Sequence, residues 1–252
     1  MKIEERRARS PRGSLSVPYS LVMPPSPVQP ESCILVVPGM TGPGYPRYLP
    51  IFEAQGKYIA DELGQACAFF SVMGQQGRAG RYSFPAACKE TLAVAFSLES
   101  LGYRVALLGR SGGCSVALRV QQDCRLTVVS TLLWGAIPRK FYRAQLVSGS
   151  IKGVQEDLKR KGTDVAEDFR QTIIFIEDEM VAAGGRAWFA VGAEDEYSSP
   201  EDQIEIMRLA RFSTALFVLQ RCTHSVSPDC PGWREYCELL GWWERSWPVL
   251  DD

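Results

Sequence analysis

The sequence predicts an α/β fold, a mostly parallel β-sheet with helices on both faces. Three observations carry this expectation. Short apolar, β-branched runs recur along the chain, stretches with apolar residues at helical spacing lie between them, and glycine or proline marks most of the joints. With 252 residues, 46% hydrophobic and 23% charged, the chain can bury one large core without a metal or disulfide staple.

Taken in order, residues 1–31 hold Pro11, Pro18, Pro24, Pro25, Pro27 and Pro30, which leave room only for short extended pieces such as Leu15 to Val22. They are read as an N-terminal extension and edge hairpin. Cys33 to Val37 is apolar throughout, as expected of a central strand covered on both faces. Leu49 to Leu63 has helical spacing and stops at Gly64; Ala66 to Val72 is the next strand. Pro85 to Leu101 is a helix, Val105 to Leu108 a buried strand, Ser115 to Gln121 a helix and Leu126 to Leu133 a strand. Ala187 to Val191 and Ala215 to Leu219 are two more strands, and a last helix starts at Trp233. About 50 residues separate the strand ending near Trp134 from the one starting near Ala187, longer than one crossover helix requires. Residues 137–184 are therefore expected to form a helical cap, on a core made of 32–136 and 185–252.

Charge and cysteine usage narrow the function. With 28 Lys+Arg against 29 Asp+Glu there is no long-range attraction for a phosphate backbone, and nucleic acid is not an expected partner. Eight cysteines without a C-x-x-C pair read as reduced apolar fillers, and His224 alone cannot build a two- or three-histidine zinc site. No metal is expected. The charged start lacks the apolar stretch of a secretory signal, and no apolar run is long enough to span a membrane, so the expected location is the cytoplasm.

Gly109-Arg110-Ser111-Gly112-Gly113 matches G-x-S-x-G between an apolar strand and a helix, the setting in which a serine is thrust above the sheet on a sharp turn. A serine hydroxyl needs a base to take its proton. His224 stands just after the strand Ala215 to Leu219 and is the candidate base. A carboxylate should orient its ring, and Glu194, Asp195 and Glu196 follow the preceding strand; Asp195 is preferred and either glutamate is an alternative. Backbone N–H groups of Met40, in Pro38-Gly39-Met40-Thr41-Gly42, and of Gly112 are the candidate oxyanion donors. Met40, Tyr45, Tyr48, Phe141, Tyr142 and Phe175 are candidate pocket residues for an apolar acyl or aryl group.

From about Cys33 onward, these motifs make the chain resemble the α/β-hydrolase superfamily, in its branch with a serine nucleophile. Pro38 to Met40 resembles the oxyanion loop, Gly109 to Gly113 the nucleophile elbow, Gly192 to Asp195 the acid loop and Thr223-His224 the histidine loop. The resemblance implies an eight-stranded, mostly parallel sheet with a lid, and a cofactor-free serine hydrolase of esterase or thioesterase type. Its substrate would be a small acyl ester or thioester, free or bound to a carrier protein. Thr223 where many members carry glycine, and the lack of an HGGG oxyanion motif, withhold any subfamily. An acyltransferase, cyclase or eliminating enzyme on a natural-product or carrier-bound intermediate is the alternative enzyme. A non-catalytic binding protein on the same scaffold is the alternative from another class.

Overall fold

In the computed structural model, residues 1–9, 15–25, 30–40, 45–75, 78–123, 125–147, 156, 159, 163–182, 187–210 and 214–248 are described. Eight strands form one sheet: β1 (Lys2–Arg9), β2 (Ser16–Met23), β3 (Ser32–Val37), β4 (Ala66–Phe70), β5 (Arg104–Arg110), β6 (Val128–Trp134), β7 (Ala187–Gly192) and β8 (Ala215–Leu219). Their spatial order is β1-β2-β4-β3-β5-β6-β7-β8. β1 pairs antiparallel with β2 and β2 antiparallel with β4, while all later pairings are parallel.

The central strands are apolar throughout because both of their faces are covered, and their alternation sorts side chains into two layers. Cys33, Leu35, Val37, Val105, Leu107, Ala68 and Phe70 point into one layer. Ile34, Val36, Ala106, Leu108, Cys67 and Phe69 point into the other. Helices α2 (Phe84–Ser100) and α3 (Gly113–Gln121) cover the first layer; α1 (Tyr45–Glu62) and the last helix, α7 (Trp233–Arg245), cover the second. Trp243 of α7 is fully buried in that second layer and donates its indole N–H to Ser130 Oγ of β6 at 2.8 Å.

Two elements depart from the sequence reading. β1 is a full eight-residue strand in the segment expected to hold only short extended pieces, and most of its side chains meet solvent. Its charges pair locally, Lys2 and Arg6 with Glu4, and Ser20 of β2 donates to Glu5. A charged edge strand of this kind blocks further strand pairing. The second element is α6 (Pro200–Met207), closed at its start by Ser199, whose hydroxyl accepts from Asp202 N–H while Asp202 accepts from Ser199 N–H.

Between β6 and β7 lie α4 (Arg139–Val147), a 3₁₀ turn (Phe169–Gln171) and α5 (Ile176–Ala182). α5 packs against α3: buried Glu179 accepts from Arg119 Nε at 2.7 Å and Gln122 Nε2 at 3.0 Å, and Ile176 and Met180 enter the first layer. Thr163 and Val165 bridge to Gln75 and Tyr82, and Phe169 stacks on Phe84. Of the expected cap, 148–155, 157, 158, 160–162, 183 and 184 lie outside the described residues.

Candidate active site

Each candidate group stands at the C-terminal end of a strand, where the loops of a parallel sheet converge. Ser111 follows β5 with φ of +56°, the one non-glycine residue among those described with a positive φ. The left-handed conformation crowds a side chain and costs of order 1–3 kcal/mol, so it persists only where neighbours hold it. Here they do: Ser111 N–H donates to the Trp134 carbonyl at 2.9 Å, and its carbonyl accepts from Cys114 N–H at 3.0 Å. Close backbone approach completes the turn. A Cβ on Gly113 would fall 2.4 Å from the Val37 carbonyl oxygen, and one on Gly39 would fall 2.7 Å from Ser111 Cβ and 3.2 Å from its Oγ. The loop after β3 and the elbow after β5 can therefore touch only because both carry glycine.

The loops after β7 and β8 meet through hydrogen bonds. His224 Nδ1 lies 2.8 Å from Asp195 Oδ2, and the other carboxylate oxygen accepts from the N–H groups of Tyr197 and Ser198 at 2.9 and 3.0 Å. The Asp195 side chain is fully buried, that of His224 nearly so. The neighbouring acids point elsewhere. Glu196 accepts from the backbone N–H of His224 at 3.4 Å, and Glu194 N–H donates to the Cys222 carbonyl at 3.1 Å.

Trp134, the last residue of β6, reaches both sets of loops. Its carbonyl accepts from Ser111, and its indole N–H donates to the His224 carbonyl at 3.0 Å. Gly135 follows with φ of +59°, where a Cβ would lie 2.9 Å from His224 Nδ1 and 3.0 Å from Asp195 Oδ2. The imidazole and its carboxylate thus lie against bare backbone.

Other side chains close around this centre. Phe141 packs edge-on against Tyr197, and Tyr197 edge-on against the His224 ring, 4.8 Å between centroids. Tyr142 contacts Phe141 and Phe175 in the same way, and Met40 lies beside Gly112. The side chains of Tyr45 and Tyr48 lie outside the described residues.

The sequence reading missed Gly135, Tyr197 and Gln75. Gln75 is fully buried and donates from Nε2 to the Gly39 carbonyl at 3.1 Å. In a trans peptide the N–H points opposite to the C=O, so holding the Gly39 carbonyl also aims the Met40 N–H. The loop bearing Gln75 is itself anchored on buried Glu90, which accepts from Met73 N–H and pairs with Arg78. Cys114, beside the elbow, donates its thiol to the Trp134 carbonyl at 3.4 Å, and burial pushes its pKa well up.

Among the described residues no helix is long and apolar enough to cross a membrane. No family model and no curated protein matches the sequence. Solved structures match over almost the whole chain. An esterase domain from a Rhodothermus marinus protein is 17% identical, with TM-score 0.71, covering 98% of this chain and 99% of that one. An esterase of Pyrococcus furiosus is 11% identical, with TM-score 0.74, covering 98% and 91%. A dienelactone hydrolase of Anabaena variabilis is 14% identical, with TM-score 0.65, covering 99% and 100%. With its strand order, its left-handed serine after β5 and these neighbours, the chain has the fold of the α/β hydrolases.

Proposed function

We propose that the chain is a serine hydrolase that cleaves a carboxylic ester or thioester through an acyl-enzyme on Ser111. The observation that carries this reading is the left-handed backbone of Ser111, +56° in φ, at the end of the sheet where His224 and Asp195 are hydrogen-bonded. Strain retained at a serine that no packing role requires is a mark of a working site.

In this mechanism Asp195 accepts the Nδ1–H of His224, which leaves Nε2 free to take a proton. Ser111 Oγ attacks the acyl carbon as its proton passes to Nε2, and the carbonyl oxygen becomes an oxyanion facing the N–H groups of Met40 and Gly112. The intermediate collapses, the imidazolium protonates the departing alcohol or thiol, and the acyl group remains on Ser111. Water, deprotonated by the same imidazole, releases the acid and restores the serine. Every step uses only side chains, backbone N–H groups and water. Phe141, Tyr142, Phe175 and Met40 line the acyl pocket. Among the described residues, α4 brings Phe141 and Tyr142 to its cover, while α5 rests on α3.

A fluorophosphonate reacts with a hydroxyl whose proton is drawn off and whose oxyanion is held, so it tests the site as a unit. Ser111 is expected to be the modified residue in a peptide map, and Ser111→Ala or His224→Ala to abolish labelling. Cys114 should stay unlabelled, because burial keeps it a thiol. A folded protein that labels elsewhere, or nowhere, overturns the reading. Turnover of p-nitrophenyl esters and acyl-thioesters with an added alcohol then separates hydrolysis from acyl transfer: free acid supports hydrolysis, and a new ester reassigns the chain to transfer.

A further inference from the structure

Gly112 has an ordinary right-handed backbone, φ −58° and ψ −19°, so its conformation does not ask for glycine. A Cβ at this position would stand 3.3 Å from the Tyr142 hydroxyl oxygen and 3.6 Å from Met40 Cγ, so the hydroxyl would have to give by a few tenths of an ångström. Tyr142 reaches this spot from α4 and is only 5% exposed, yet among the described residues its hydroxyl has no hydrogen-bond partner. A phenol buried without a partner is costly in an empty site, and the cost is explained when a ligand supplies the acceptor. The hydroxyl therefore lies beside Gly112, whose N–H is a candidate donor to the oxyanion.

Resting on the acyl-enzyme reading above, we propose that the Tyr142 hydroxyl is a third hydrogen-bond donor to the oxygen that gains charge when Ser111 attacks. It acts beside the N–H groups of Met40 and Gly112. Burial also raises its pKa, so the group remains a protonated donor at any pH at which an esterase would be assayed. A donor strengthens its bond as a carbonyl becomes an oxyanion, so the contribution appears in the chemical step and not in substrate binding.

Tyr142→Phe in the full chain tests this by steady-state turnover of a p-nitrophenyl ester, the rate of fluorophosphonate labelling, and thermal melting. The expected result is kcat lower by about 10²-fold with KM within a few-fold of wild type. Labelling of Ser111 should be slower but complete, and Tm unchanged or higher, because the lost hydroxyl has no partner among the described residues. Gly112→Ala, whose methyl would press on the hydroxyl, should lower kcat in the wild-type background and less in Tyr142→Phe. A kcat within twofold of wild type overturns the proposal. So does a raised KM at unchanged kcat, which would put the hydroxyl against the acyl chain, and so does a lower Tm, which would reveal a structural partner. Wild-type protein that fails to label at Ser111 removes the serine-hydrolase reading and this proposal with it; normal labelling with an unaffected Tyr142→Phe removes this proposal alone.

Discussion

The two halves of the candidate site are built differently. Around Ser111 the constraint is missing side chains: Gly39 and Gly113 let the loops after β3 and β5 touch, and main-chain hydrogen bonds hold the turn. Around His224 the constraint is a set of side-chain hydrogen bonds, with Asp195 satisfied by the imidazole and by two backbone N–H groups. The first half should fail when atoms are added, the second when a donor or acceptor is exchanged.

The largest effect is expected at Asp195→Asn. Two N–H groups require an acceptor at Oδ1, so the new amide must turn its NH₂ toward His224 Nδ1 and enforce the unproductive tautomer. Loss of kcat should be on the order of 10⁴, the scale seen for the same exchange in serine proteases. Glu196→Gln should cost less than about tenfold, because Glu196 accepts from the His224 backbone N–H while Asp195 holds the ring. A larger loss at Glu196 than at Asp195, measured as kcat/KM, would assign the acid to Glu196.

Gly135→Ala crosses the comparison by adding one methyl to the hydrogen-bonded half. That methyl enters a left-handed position within 3.0 Å of both His224 Nδ1 and Asp195 Oδ2, so the pair must separate. A misplacement near 1 Å is worth about 10²-fold in rate. The left-handed alanine should also lower stability by about 1–2 kcal/mol, a shift of about 2–8 °C in Tm for a chain of this size. Near-normal kcat in this variant would mean that the imidazole is held from elsewhere.

Gln75→Leu makes the converse exchange, removing one hydrogen bond from the half held by main chain. The Gly39 carbonyl loses its buried donor and the Met40 N–H its fixed aim. A fall in kcat of about tenfold at constant KM is expected, with about 1–3 kcal/mol lost in stability. If KM rises while kcat holds, Gln75 shapes the pocket and not the oxyanion donor.

The site was legible in the sequence where chemistry and position coincide. Ser111 sits in a glycine-flanked turn after an apolar run, and His224 and Asp195 follow strands, so local pattern and topology point to the same end of the sheet. Gly135, Gln75 and Tyr197 carry no such local mark, since their roles depend on residues dozens of positions away. β1 escaped notice because its inward face carries Glu4 and Arg6 beside buried Ala8, and so lacks the apolar alternation that marks a half-buried strand. α6 did leave a signature, Ser199-Pro200-Glu201-Asp202, a cap with proline at the first helical position.

Trp134 gives the molecule a further property. Its backbone carbonyl steadies the serine turn and its indole steadies the histidine loop, while its ring packs edge-on against Tyr236 of the last helix, 5.0 Å between centroids. Loosening of that helix therefore reaches both halves of the site through one buried ring. On heating, the candidate site should therefore come apart in one step, with no stage at which one half stands without the other.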